Sequence, residues 1–291
     1  MTVVKKLGYE LKFDVNEAKK RVDFLDKLRL DRALSDTTES FQLVFKLIPL
    51  LLHFNHPDLP GYVANARTGI VHFSLTGFQQ DYLARTLSAE QSQNIQKNHR
   101  TFEQEAILGV YVMGSIASIA QTPSSDLDIW ICHREDLSQN ALELLQQKTN
   151  AIQQWAKRFQ VEINFYLMDQ KRFRCFRYAE PMDGENCGST QYMLLLDEFY
   201  RSAIRLAGKP LLWLHLLVER EENYEAEIER LTQEGQLDLN DWVDFGGLGS
   251  FSANEYFGAS LWQLYKGIDS PYKSLLKILL LEAYSWDYPN T

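Results

Sequence analysis

The stretch 107–133 reads ILGVYVMGSIASIAQTPSSDLDIWICH and has a β-type segment on each side of a turn. The first segment, Ile107–Met113, is short and rich in residues that favour β-strands. The second, 126–132, alternates, so that Asp126 and Asp128 fall on one face and apolar residues on the other. We therefore predict two strands joined by a turn, with both aspartates leaving the same face of the second strand.

Helical and strand patterns alternate after this stretch. Residues 142–159 repeat apolar side chains every three or four positions, which predicts a helix. Residues 161–167 alternate again as a third strand, and apolar spacing from Tyr192 to Leu206 predicts another helix. The order strand, turn, strand, helix, strand, helix indicates an α+β core.

The regions on either side of this core are expected to be mainly helical. In the first helix, Val22, Leu25 and Leu28 are predicted to face inward. The helices are predicted over roughly 16–34, 40–54, 223–235, 255–267 and 271–286, with a short strand at 69–73 and a loose connection or exposed helix at 88–100. We predict an N-terminal mostly helical region (1–100), a core (101–220) and a C-terminal helical region (221–291).

Composition limits the class of protein. The 291 residues suffice for one large domain or two small ones, and the formal net charge of -9 disfavours a polynucleotide partner. A small phosphate ligand needs only a few cations. The sequence has no apolar run long enough to span a membrane, no signal-peptide pattern, and three cysteines without a CxxC pair. We expect reduced thiols and a cytoplasmic location. The chain ends directly after an apolar helix, so we expect it to be part of a longer protein.

The turn and the second strand together carry a chemical signal. Ten residues separate Gly114-Ser115 from Asp126. Glycine lets the backbone approach a phosphate closely, and Ser115 offers a hydroxyl at a predicted helix N-terminus. Paired carboxylates suit Mg²⁺ or Mn²⁺, hard cations that share oxygen ligands with substrate phosphates. We therefore predict that Asp126 and Asp128 bind two metal ions, which lie about 3.5–4 Å apart in sites of this kind.

A third carboxylate is expected on the neighbouring strand. Glu162 lies at the start of the third predicted strand, on its polar face. We expect it to be either a metal ligand or the acceptor of the proton from the attacking hydroxyl. The alternative is a solvated Asp-x-Asp pair, which is common on exposed strands. The Gly-Ser turn upstream and the acidic strand downstream favour the metal site. Trp130 shares the aspartate face and packs either in the core, the favoured interpretation, or beside a nucleotide. Phe257, Trp262 and Tyr265 are interpreted as core residues.

These motifs resemble those of known families. Gly-Ser followed by Asp-x-Asp, with a third carboxylate on a later strand, resembles the DNA polymerase beta-type nucleotidyltransferase superfamily. Other segments are similar to the class I bacterial adenylate cyclases, above all EYFGASLWQLYK at 255–266. The remaining ones are SSDLDIW at 124–130, DEFYR at 197–201, LAGK at 206–209 and SPYK at 270–273. The similarity covers most of the chain and is weakest before residue 20 and across 85–105.

The resemblance implies a nucleotidyltransferase-type mixed sheet that converts ATP to cyclic AMP and pyrophosphate. It adds Ser125 to the expected nucleotide-binding residues. It also implies a C-terminal regulatory region, absent from this sequence, through which a sugar-transport regulator acts. Two alternatives stay open. One is a nucleotidyltransferase that moves AMP to a small-molecule or RNA hydroxyl. The other is a non-catalytic nucleotide-sensing or scaffold domain.

The triphosphate is expected to bind between the last two predicted helices. Ser270 is a favoured N-cap before proline, so the free N–H groups of that helix can receive an anion. Lys273 lies in the first turn, where a cation opposes the helix dipole unless a phosphate is present. Lys266 ends the preceding helix, and Lys209 is a further candidate. The alternative is that these lysines are solvated surface charges.

Overall fold

The computed structural model describes residues 14–99, 105–118, 120–122, 125–174, 192–216, 221–249 and 251–287. Within these residues the helices are α1 (Val15–Ser35), α2 (Glu39–His53), α3 (Gly77–Thr86), α4 (Ala89–His99), α5 (Gln139–Lys157), α6 (Gln170–Arg174), α7 (Tyr192–Ser202), α8 (Glu221–Gln233), α9 (Ala253–Lys266) and α10 (Pro271–Asp287). The strands are β1 (Ile107–Met113), β2 (Leu127–His133), β3 (Ile163–Met168) and β4 (Ile204–Gly208).

The four strands form one mixed sheet in the order β3-β2-β1-β4. β1 runs antiparallel to both β2 and β4, and β2 runs parallel to β3. The register places Asp128 opposite Met113 on one side and Asn164 on the other. The predicted α+β class is therefore confirmed, and the end of β1 lies beside the start of β2.

Each face of the sheet packs against its own set of helices. Strand alternation sends Ile129 and Ile131 into a core shared with α2, α3 and α5. The same alternation sends Trp130 and Cys132 into a second core with α7, α8 and α9. Asp126 and Asp128 share the face of this second core, at the end of the strand where apolar packing gives way to polar side chains.

The strand β4 was not predicted. The apolar spacing was interpreted as one helix as far as Leu206, whereas α7 ends at Ser202 and Ile204 begins an edge strand. Over so short a run, apolar residues fit both the helical and the strand period. The predicted strand at 69–73 is also wrong, because only Ile70 forms an isolated bridge, with Ile107.

The inward face of α1 differs from the prediction. Leu25 and Leu28 are 55% and 50% exposed, whereas Asp26 is buried. Asp26 accepts hydrogen bonds from the Arg205 backbone N–H at 3.4 Å and from the Arg29 guanidinium at 3.5 Å. These two partners, Arg205 on the edge strand and Arg29 on α1 itself, offset the cost of burying the carboxylate. Of the helices that are described, none has the length and apolar character needed to cross a membrane.

Candidate active site

The two predicted aspartates lie side by side at the start of β2. The Asn164 side-chain amide donates to Asp128 Oδ1 at 3.1 Å and to Asp126 Oδ2 at 3.4 Å. The parallel register between β2 and β3 sets this contact, since Asn164 is the direct partner of Asp128. Asn164 was not among the predicted site residues, although strand alternation already placed it on the same face as Glu162.

The aspartate pair carries an unfavourable concentration of negative charge. Burial raises the pKa of Asp128 to about 6, and the neighbouring charge of Asp126 contributes to the increase. The hydrogen bond from Asn164 partly offsets this increase, and the charge of Glu198 adds to it. A bound cation would remove the repulsion between the two carboxylates. The pair is therefore suited to hold positive charge.

The turn after β1 approaches the aspartates closely. Gly114 has a φ of 85°, and a Cβ at this position would lie 3.4 Å from Asp128 Oδ2. The positive φ favours glycine here, and the distance shows that the turn lies within van der Waals contact of the carboxylate. The Gly114 N–H donates to Ser202 Oγ at 3.0 Å, and that hydroxyl donates to the Glu198 carbonyl at 2.6 Å. Helix α7 thereby fixes the turn against the aspartate pair.

Contrary to the prediction, Ser115 does not begin a helix. The Ser118 N–H donates to the Ser115 carbonyl at 3.1 Å, which closes a turn. The Ser115 hydroxyl donates to Ser125 Oγ at 3.1 Å. Ser125 is buried, and its Oγ accepts the Thr122 N–H at 2.9 Å. Ser125 therefore braces the loop that carries Ser115 instead of facing the adjacent cleft.

A cleft of ≈ 860 Å³ opens over the aspartate pair. All of the predicted site residues except Ser125 and Lys209 line it: Gly114, Ser115, Asp126, Asp128, Glu162, Lys266, Ser270 and Lys273. Further lining residues that were not predicted include Asn164, Glu198, Ser274 and Lys277. The cleft thus has a carboxylate wall on the sheet and a lysine wall on α9 and α10.

Lys209 lies away from the cleft. It directly follows β4, whose Gly208 is paired with Gly109 near the start of β1, whereas Gly114 follows the end of β1. The Lys209 N–H donates to the Leu108 carbonyl at 2.8 Å. Lys209 is therefore at the opposite end of the sheet from Asp128. The predicted phosphate contact from Lys209 is therefore not supported, because Lys209 is not among the residues that line the cleft over the aspartates.

Glu162 directly precedes β3, is exposed, and lines the cleft. Its carbonyl accepts the Leu127 N–H at 2.9 Å, which anchors the start of both strands. Across the described ranges, no three side chains drawn from His, Cys, Asp and Glu are grouped closely enough to hold a metal ion. The Glu162 carboxylate does not form a closed cluster with the aspartates, and its contact with metal stays a prediction.

The opposite wall is built by the α9–α10 hairpin. The Lys266 ammonium lies 5.1 Å from the centroid of the Trp262 ring. Ser270 precedes α10, and its backbone carbonyl accepts the Ser274 N–H at 3.0 Å. The interpretation of Phe257 and Tyr265 as core residues is wrong, since they are 73% and 60% exposed. Their apolar periodicity arises from a face of α9 that the described residues leave open to solvent.

Trp130 has a packing role. It is 1% exposed and stacks on Phe199 with ring centroids 3.9 Å apart. Phe173 and Phe245 pack against the same indole at 5.8 and 5.5 Å. This aromatic cluster lies two residues beyond Asp128 on the same strand face, and it supports α7 beside the aspartates.

Comparison with known families assigns the chain to one of them. The family model described as the adenylate cyclase NT domain matches residues 14–214. A second family model, described as the class-I adenylate cyclase second domain, matches residues 251–291. The chain belongs to the class I adenylate cyclase family. The cleft therefore combines both matched regions, with the aspartates from the first and the lysine wall from the second.

Curated relatives agree with this assignment. The chain is 66% identical to an adenylate cyclase of Pasteurella multocida (strain Pm70), over 97% of this chain and 34% of the relative. It is 60% identical to the Haemophilus influenzae adenylate cyclase, over 94% of this chain and 33% of the relative. It is 48% identical to the Escherichia coli K12 adenylate cyclase, over 95% of this chain and 32% of the relative. The chain thus spans about a third of the length of these relatives. No solved structure shows a significant match.

Proposed function

We propose that this chain is the catalytic part of an adenylate cyclase and converts ATP to 3′,5′-cyclic AMP and pyrophosphate. The observation that carries the proposal is a single cleft in which Asp126 and Asp128 face Lys266 and Lys273. Carboxylates on one wall and ammonium groups on the other suit a metal-bound triphosphate. Membership of the class I family supports the same reaction.

The donor set fits a hard divalent cation. Asp126 and Asp128 would bind Mg²⁺ or Mn²⁺, as two ions, with substrate phosphate oxygens among the ligands. Rotation of the Asn164 side chain would turn its amide oxygen toward the same site in place of the N–H groups that now bond both carboxylates. When bound, the metal supplies electrostatic stabilisation of the negative charge that develops on the phosphates.

The chain's own contribution is mainly positioning. The glycine at 114 leaves room for phosphate oxygens beside Asp128, and Ser115 lines the cleft from the same turn, where its hydrogen bond to Ser125 Oγ holds it in place. Lys266, Lys273 and the N–H groups at the start of α10 would hold the β- and γ-phosphates. The nucleotide must curl so that its 3′-oxygen lies in line with the bond to the leaving pyrophosphate.

The reaction exchanges one phosphorus–oxygen bond for another. The 3′-oxygen bonds to the α-phosphorus as the bond from α-phosphorus to the bridging oxygen breaks. The proton of the 3′-hydroxyl is lost, and we assign Glu162 as its acceptor because that exposed carboxylate lines the cleft beside β3. Lysines on the pyrophosphate side would stabilise the charge on the leaving group.

The wider properties follow as proposals. A sheet with Gly-Ser after β1 and Asp-x-Asp at β2 supports a nucleotidyltransferase-type fold. The cytoplasm, where ATP is available, is the proposed location. Regulation through the part of the relatives that this chain does not span, by a sugar-transport regulator, stays a prediction.

Product analysis tests the reaction. The chain is incubated with ATP and Mg²⁺ and no other nucleophile, and nucleotides are separated by chromatography. Cyclic AMP and pyrophosphate in equal amounts are the expected products. Adenylylation of an added small-molecule or RNA hydroxyl, with no cyclic AMP, would instead indicate an intermolecular nucleotidyltransferase. ATP binding without any product would indicate a nucleotide-sensing domain.

A further inference from the structure

Lys277 lies one helical turn beyond Lys273 on α10, facing the same cleft. Its ammonium is 2.8 Å from Glu198 Oε1 on α7, so this ion pair joins the two helices across the cleft. Both side chains are partly exposed, at 46% for Lys277 and 37% for Glu198. An ion pair in contact with water is weak and exchanges partners readily.

Ser274 lies between these lysines and is buried, at 3% exposure, in the wall of the cleft. Its hydroxyl has no hydrogen-bond partner among the residues that the structure describes. Buried hydroxyls normally find a partner, and one left without it in a cleft wall is suited to a polar ligand. The hydroxyl is on the first turns of α10, where free N–H groups already favour an anion.

The charges around Lys277 explain why it rests on Glu198. The Glu198 carboxylate raises the pKa of Lys277, and Asp128 and Asp126 add to the effect. The ammonium therefore lies in the field of all three carboxylates. Positive charge on the aspartates weakens that field, so the ammonium is then held less strongly near them.

We propose that Ser274 and Lys277 form a second anion subsite for the polyphosphate chain of the nucleotide, and that Glu198 retains Lys277 until phosphate replaces it. This inference rests on the proposed function, because it deepens the binding of the same substrate. Glu198 is thus a residue that limits phosphate affinity. Metal and polyphosphate are expected to bind cooperatively, since metal on the aspartates weakens the carboxylate field at Lys277 and so eases the transfer of its ammonium from Glu198 to phosphate.

Binding of inorganic tripolyphosphate tests the subsite without relying on catalysis. Isothermal titration calorimetry is performed in Mg²⁺ on the full chain and on single variants. Lys277→Ala and Lys277→Gln should each weaken binding about tenfold, the value of a charge-assisted hydrogen bond. Ser274→Ala should weaken it about threefold to tenfold without lowering the Tm of the ligand-free protein, because its hydroxyl has no partner to lose.

Glu198→Gln separates this proposal from a role of Glu198 as a ligand of metal or substrate. Freeing Lys277 and removing a repelling charge should tighten tripolyphosphate binding about threefold or more. The matched controls are Lys171→Ala and Glu135→Gln, which break a surface ion pair of 3.3 Å away from the cleft, and Ser285→Ala on the same helix as Ser274. None of the controls should change affinity.

Equal or weaker binding by Glu198→Gln overturns the retention of Lys277 by Glu198. Unchanged binding in the Ser274 and Lys277 variants overturns the subsite. The cyclic AMP assay distinguishes this failure from failure of the proposed function. Cyclic AMP formation with an unchanged affinity pattern refutes only the subsite. The expected affinity pattern without cyclic AMP refutes only the proposed reaction.

Discussion

Asp128→Asn is expected to stabilise the metal-free protein while it removes catalysis. In the folded chain the pKa of Asp128 is raised from 3.8 to about 6 by burial and by the charge of Asp126. This difference corresponds to about 3 kcal/mol of unfavourable free energy at neutral pH. Asparagine removes the charge and keeps an oxygen that accepts the Asn164 hydrogen bond. The free energy of unfolding should therefore rise by up to about 3 kcal/mol.

The gain depends on pH in a defined direction. A carboxyl group whose pKa is raised on folding destabilises the folded state when it is ionised. This penalty is fully present above pH 6 and disappears as the pH falls below 3.8. The advantage of Asp128→Asn should accordingly be largest at pH 7.5 and small near pH 4.

Urea unfolding in EDTA at pH 7.5 and at pH 4.5 measures the effect. Asp136→Asn is the control, because Asp136 is an exposed aspartate paired with Arg134, and its removal should give no gain. Addition of Mg²⁺ should stabilise the natural sequence and not the Asp128 variant. A variant that is equally or less stable at pH 7.5 would refute the view that the aspartate pair is repulsive.

Three further expectations concern other parts of the chain. Burial lowers the pKa of Lys148 to about 7, so folding favours its neutral form. The free energy of unfolding should therefore rise between pH 7 and 10.5 by up to about 1.4 kcal/mol per pH unit. Urea unfolding at pH 7.5 and 9.5 should show this slope, and Lys148→Met should lose it. Glu162→Gln should lower kcat more than it raises KM, as steady-state cyclase kinetics would show, and an unchanged kcat would exclude Glu162 as the proton acceptor. Phe199→Ala removes the ring stacked on Trp130 and should cost about 3–5 kcal/mol in thermal or urea unfolding, whereas a loss under about 1 kcal/mol would contradict the packing role of this ring.

The sequence predicted those parts of the site that depend on local geometry. A strand period of two was enough to place Asp126 and Asp128 on one face, and both line the cleft. The start of α10 was predicted from Ser270 and the proline after it, and this wall also lines the cleft. Each of these features depends on neighbours within a few residues.

The remaining parts depend on how distant segments meet. Asn164 contacts the aspartates only because β3 pairs with β2 in one particular register, which the sequence pattern does not specify. Glu198 and Lys277 are 79 residues apart and meet through the packing of α7 near α10. Lys209 directly follows β4, and the pairing of β4 with β1 places it at the far end of the sheet from Asp128. In each case tertiary pairing, and not local periodicity, decides the position.

The central claim is that the aspartate pair makes cyclic AMP from ATP in this chain. The most direct test is the initial rate of cyclic AMP formation with ATP and Mg²⁺, compared among the natural sequence, Asp126→Asn and Asp128→Asn at matched concentration of folded protein. We expect cyclic AMP from the natural sequence, and a rate at least about a hundredfold lower in each variant, because each change removes a carboxylate that holds charge-stabilising metal at the reacting phosphate. Near-normal cyclic AMP formation by either variant would contradict the claim.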